Sequence, residues 1–182
     1  IFKPVTVAMG LESKAINSNS KLYSSGKIKI YDVLELRNQL DSLYKKTSQK
    51  NIAKWSLKIA ERTLEKYAPS YITNKTILEG FNINECWQQG DKIKIYNLRQ
   101  IGFAIHRLAK EQERDITCAA LRVVGQACAS AHMKEHGLVA SDYAIKCCNI
   151  AYPNNKEIVE KERVWQINEL KNICDKTEKH IK

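Results

Sequence analysis

The sequence predicts an all-α protein, about seven helices in an antiparallel bundle or stacked helical hairpins around a buried Ala/Gly-rich central helix. Three observations predict it. Only seven Gly and three Pro occur in 182 residues, and most of them fall between long Ala/Leu/Ile/Lys/Glu-rich stretches. Within those stretches apolar residues recur at i, i+3 and i+4, the period of a helix with one buried face. The connections between them are short, which makes consecutive helices antiparallel neighbours. The length suits one main domain with a sizeable core.

Residues 12–29, rich in Ser, Asn and Lys, are expected to be a weak helix or a loop. From Asp32, a residue type favoured as N-cap, Val33, Leu36, Leu40, Leu43 and Tyr44 define a first amphipathic helix over about 33–46. Thr47 or Ser48 then caps a second helix, whose periodic set is Ile52, Trp55, Ile59, Arg62, Thr63 and Lys66 and which ends at Tyr67, before Pro69. A third is expected from Asn74 to Gln89, burying Ile77, Leu78, Phe81, Cys86 and Trp87 and stopping at Gly90. The N-I-N at 82–84 is poor helix sequence and a candidate break. Leu98, Ile101, Ile105 and Leu108 place a fourth helix over about 92–111, with Tyr96 and Phe103 beside them. The central helix is expected to run from Asp115 as N-cap to Gly137 just past its end. Ser141, or Val139–Ala140 before it, opens a sixth helix that Pro153 closes, and a charged last helix covers about 155–177.

The net charge is +10, and residues 1–50 supply half of the excess, with nine Lys/Arg against four Asp/Glu. There is no Lys/Arg block and no DNA-binding motif, so the basic balance reads as a solvated surface without specific nucleic-acid recognition. The longest apolar run is interrupted by Arg122 and Gln126 and is too short to span a bilayer. The N-terminus lacks a signal peptide's long apolar region and cleavage site, and it lacks an initiator Met, so a terminal residue is expected to be missing. Six cysteines without a C-x-x-C pair, mostly in apolar helical patterns, read as reduced thiols in a cytoplasm.

Read at about 100° per residue, residues 116–137 divide into two sides. Ala120, Val123, Val124, Ala127 and Ala131 form a smooth core face. The other side is a polar arc of about 160° carrying Arg122, Gly125, Gln126, Ser130, His132 and His136. If buried, such groups need hydrogen-bond partners, and the candidates are His106, Glu61, Arg62, Glu162 and Arg163. The arc is therefore expected to be an internal network that fixes helix packing, or a cleft lined by the same groups.

H-M-K-E-H at 132–136 also fits H-x-x-E-H, which on one helix would aim His132 and His136 at a metal with Glu135 as base. Only three of its five positions are fixed, and no third ligand is evident beyond Glu157, Glu160, Glu162 or Glu169 downstream. Phosphate-binding glycine loops and the G-x-S-x-G elbow are absent from the sequence. Cys128 and His132 at i, i+4 could pair, but a Cys in an Ala-rich face reads as inert packing.

Taken together, several stretches resemble a family of helical bacterial proteins called putative immunity proteins, associated with polymorphic toxin systems. W-S-L-K-I-A-E-R-T-L at 55–64 is similar to its W-A-L-x-x-A-E-R-V-L, with Lys58 where the family often has Asp. C-W-Q-Q-G at 86–90 and F-A-I-H-R-L-A at 103–109 follow in order. The longest likeness is residues 120–146, similar to A-x-R-A-A-G-Q-A-x-A-x-A-H-x-x-x-H-A-x-x-A-x-x-Y-A, and E-R-V-W-Q at 162–166 resembles the closing E-R-x-W-Q. The resemblance spans about residues 50–170. It divides the chain into a basic N-terminal extension with one amphipathic helix over 1–49 and a helical immunity-like domain over 50–182. It implies a cytoplasmic, non-enzymatic protein without cofactor that binds and neutralises a cognate toxin. The alternatives are a small-ligand-binding or regulatory module that uses the polar arc as a pocket, and a metal-dependent hydrolase built on His132, Glu135 and His136.

Overall fold

The structure, a computed structural model, describes residues 22–23 and 29–179. Among these lie seven α-helices: α1 (Leu34–Lys46), α2 (Gln49–Tyr67), α3 (Lys75–Gln89), α4 (Ile95–Lys110), α5 (Asp115–Ala129), α6 (Glu135–Ala151) and α7 (Lys156–Lys179). A 3-10 turn, Pro69–Tyr71, links α2 to α3. The fold is all-α, as the composition predicts. The expected weak helix or loop over 12–29 lies largely outside the described residues; within it, Leu22–Tyr23 pairs antiparallel with Lys29–Ile30.

Local signals place the starts of α2 and α3 and the end of α3. Ser48 accepts from the Asn51 amide and starts α2. Asn74 accepts from the Thr76 and Ile77 amides and starts α3. Gly90, at φ 101°, ends α3 in the left-handed conformation that glycine adopts without a Cβ penalty. Asp32 is not the cap of α1: Val33 holds that position, and the Asp32 carboxylate instead bonds the Val33 amide and Arg163. Asp115 is likewise the first helical residue of α5, after Arg114.

Helix α5 is the centre of the molecule, packed against α2, α3, α4 and α6. Ala119, Ala120, Val123, Val124 and Ala127 are buried in one cluster with Trp55, Ile59, Ile105 and Leu170. Helix α1 packs on α7, and its Leu40 is fully buried in that same cluster. Leu78 is not buried as expected; it is 49% exposed, and Asn84 takes the buried position on α3. A second, smaller cluster joins Ile145, Cys148 and Val159 to Ile30 and Tyr31. There Asn149 holds the incoming strand, accepting from the Tyr31 amide at 2.7 Å and donating to the Tyr31 carbonyl at 3.0 Å.

The expected single helix to residue 137 is two elements. Helix α5 stops at Ala129, and the chain turns through 130–134 before α6 starts at Glu135, earlier than Ser141. The reason is tertiary. Ser130 Oγ donates back to the Ala127 carbonyl at 2.6 Å, and Asn84 Nδ2 donates to the Ala127 and Cys128 carbonyls, both at 3.1 Å. Gln49 Nε2 donates to the Ser130 and Ala131 carbonyls at 3.2 and 2.9 Å. These side chains take carbonyls that a continuing helix would use, so the buried end is not left unsatisfied. The N-I-N of α3 is therefore no break; Asn84 is its contact with the end of α5.

Gly137 consequently lies inside α6, fully packed on α2, where a Cβ would overlap Ile52 Cγ2. Gly→Ala inside a helix ordinarily stabilises by about 1 kcal/mol. Here overpacking against a buried β-branched side chain costs about 1–3 kcal/mol, so Gly137→Ala is expected to lower the unfolding midpoint in urea. A midpoint at or above wild type would show that the α2–α6 contact yields freely.

Candidate functional site

The candidate polar residues read differently once placed, because they fall into two separate networks, and only the first contains residues of the arc. The first lies between α4, α5 and α6. Gln126 is 1% exposed, and its Oε1 accepts from His136 Nδ1 at 2.6 Å. Its Nε2 faces His106 Nε2 at 3.5 Å, so the amide donates there and the His106 proton sits on Nδ1, which has no hydrogen-bond partner. The His106 ring lies directly on the backbone at Gly125, where a Cβ would come within 2.6 Å of Cε1. Glycine is thus what lets α4 approach α5 here. His132 sits in the turn, its ring centroid 5.0 Å from that of His136. Ser130 belongs to the end of α5, its hydroxyl 2.9 Å from that of Ser56. Arg122, half-buried on α5, acts on this group through its charge, which disfavours protonation of His106.

The second network lies between α6, α7 and the start of α1. Arg163 is fully buried and grips Asp32 with two bonds, Nε to Oδ1 at 2.9 Å and Nη2 to Oδ2 at 2.6 Å. It also donates to Asp142 Oδ1 at 2.7 Å, Ser141 Oγ at 2.5 Å and Gln166 Oε1 at 3.0 Å. Desolvation alone would weaken its proton affinity, yet Asp32 and Asp142 hold the guanidinium more firmly protonated than usual. Arg37 joins from α1, paired with Asp41 and with Asp142. Glu162, side chain 6% exposed, accepts from Arg62 at 3.2 Å and Lys66 at 3.4 Å. Arg62 also stacks over Trp165, 4.4 Å from the ring centroid. Glu61 belongs to neither network and pairs with Lys58 at 2.7 Å on the surface.

Of the residues singled out from sequence, His106, Gln126 and His136 are bonded into one chain with His132 beside it. Glu162, Arg163 and Arg62 are not partners of the arc. They connect instead with Asp32, Ser141, Asp142 and Gln166, of which the first three were read only as helix starts or passed over. Bidentate pairing across more than 100 residues leaves no local spacing to read.

The H-x-x-E-H reading requires both histidines on one helix. His132 lies in the turn and His136 in the first turn of α6, with its Nδ1 taken by Gln126. Among the described residues no three His, Cys, Asp or Glu side chains come together as a metal site. An open cleft of about 480 Å³ lies elsewhere, lined by Glu35, Asn38, Gln39, Ser42, Ile167 and Lys171 between α1 and α7.

Burial pushes His106 and His136 down to about 4, with Arg122, His136 and Lys110 adding to the effect at His106 and His132 adding to it at His136, against Glu135. Unfolded, both titrate near their ordinary value of about 6.5. Between those limits the unfolded chain binds protons that the folded chain refuses, so this stability is complete above pH 6.5 and is lost as pH falls toward 4. The melting temperature is expected to drop over that window, less steeply in a His106→Asn, His136→Asn double variant. An identical slope in the two proteins would show that these rings stay accessible to protons.

Fold and network define a helical protein whose buried polar side chains are spent on holding helices together. A family model described as "Imm-5 like putative immunity protein" matches residues 42–173, and the chain belongs to that family. No curated protein and no solved structure matches it. Among the described residues no helix is long and apolar enough to cross a membrane.

Proposed function

We propose that the protein is a non-enzymatic immunity protein that binds a cognate bacterial toxin domain in the producing cell's cytoplasm and neutralises it. The family match over residues 42–173 carries this reading. The placement of the polar residues supports it. The arc that could have lined a cleft is occupied by its own side chains, Gln126 between His106 and His136, and Ser130 against Ser56. Neutralisation then works by covering the toxin, which needs an outer surface and no reacting group.

Charge narrows the partner. A net charge of +10 steers a protein toward acidic partners and away from basic ones, so an acidic toxin fits better than a basic nuclease. Co-expression with the toxin gene next to it is expected to restore growth, and pull-down is expected to recover a stoichiometric complex. Failure to rescue cells from any neighbouring toxin overturns the proposal.

A further inference from the structure

The seven helices differ in how they treat charge on their outer faces. On α2 and α7 surface cations meet acids, as in Lys58–Glu61 and Lys161–Glu157. Helix α4 is the only one of the seven without an acidic residue, and residues 92–110 carry five cations, Lys92, Lys94, Arg99, Arg107 and Lys110, all exposed. None of the five forms an ion pair among the described residues.

The same helix leaves large apolar groups in water. Ile95 is 62% exposed, Tyr96 68% and Phe103 43%. The buried side of α4 is Leu98, Ile101, Gly102, Ile105 and Ala109. At about 100° per residue, Tyr96, Phe103, Arg107 and Lys110 lie within roughly 60° of the opposite line and Arg99 within about 80° of it. Aromatic and arginine side chains interleave along that line. Arg99 is also near enough to His132 for its charge to reach that ring, so the face continues toward the 130–134 turn and its exposed Met133.

We propose that the outward face of α4, centred on Tyr96, Arg99, Phe103 and Arg107, is the surface that receives the acidic toxin domain. The inference rests on the immunity reading and adds the place and chemistry of contact. Aromatic side chains and Arg are enriched at protein interfaces: the rings bury a large area with few rotatable bonds, and the guanidinium meets carboxylates with a bidentate fork. Unpaired cations of one sign supply steering and reject basic partners. The aromatic and arginine pattern also suits single-stranded nucleic acid, which makes nucleic acid the competing occupant.

The test uses the full chain and any toxin domain found encoded beside its gene. Tyr96→Ala with Phe103→Ala is expected to weaken the complex about 100-fold, with unchanged melting temperature because both side chains face solvent. Arg99→Glu with Arg107→Glu is expected to slow association and to lose rescue, while Val164→Ala on α7 keeps both. If the wild-type chain neither binds nor rescues, the immunity reading fails and this surface with it. If wild type rescues but both double variants bind as tightly as it does, only the surface is wrong. A basic toxin partner overturns it too, as does tight binding of a single-stranded oligonucleotide at physiological salt that Arg99→Glu, Arg107→Glu abolishes while toxin binding persists.

Discussion

Replacing Arg163 with leucine is expected to lower the unfolding free energy by about 3–5 kcal/mol, the cost of breaking a buried ion pair from one side. The guanidinium is fully buried and bonded to Asp32, Asp142, Ser141 and Gln166. Leucine fills much of its volume but strands the Asp32 carboxylate, whose side chain is only 6% exposed. Asp142 keeps Arg37 within 3.1 Å and is 22% exposed, so it suffers less. Lysine is a poor substitute, because a point charge cannot reproduce the fork that grips both Asp32 oxygens. Adding Asp32→Asn to Arg163→Leu removes the stranded charge and is expected to recover part of the loss. Urea unfolding of the three proteins checks this, and a single-variant cost below about 1 kcal/mol, the range of exposed ion pairs, would mean that water replaces the guanidinium.

What could be read from the sequence depends on how far apart the deciding residues stand. Ser48, Asn74 and Gly90 act on amides and carbonyls within a few residues, so the ends of α2 and α3 are legible from type and position. The buried faces of α2 and α5 are legible for the same reason, since a 3.6-residue period is local. The end of α5 is not. Residues 116–137 contain no proline, and their only early glycine is Gly125, so nothing nearby announces a stop at Ala129. The stop is made by Asn84 and Gln49, which reach the α5 carbonyls from α3 and α2. Gln126 with His106 and His136 could be anticipated, because a polar stripe must find partners. Asp32 could not be matched to Arg163, because a carboxylate before an apolar run is equally good as a cap, and the pairing choice is tertiary.

Trp55 tests whether the stretches that carry the family likeness serve the fold or the partner. It is fully buried on α2, and its Nε1 donates to the Gln166 carbonyl on α7 at 2.8 Å. Gln166 in turn accepts from Ser141 at 2.7 Å through its side chain, beside Arg163. W-S-L-K on α2 and E-R-V-W-Q on α7 therefore meet in one contact, with α6 as its third side. Trp55→Ala is expected to cost about 3–5 kcal/mol through the cavity it leaves. Trp55→Phe keeps much of the packing but leaves the Gln166 carbonyl without this donor, at about 1–3 kcal/mol. If the contact is architectural, Trp55→Ala protein that is still folded at low temperature binds the toxin domain with wild-type affinity, and its failure to rescue at growth temperature tracks the loss of folded protein. The α4 variants are expected to do the reverse, keeping stability while losing affinity. A Trp55→Ala protein that stays folded yet binds weakly would place part of the contact surface on α2 and α7 and shift the recognition site away from α4.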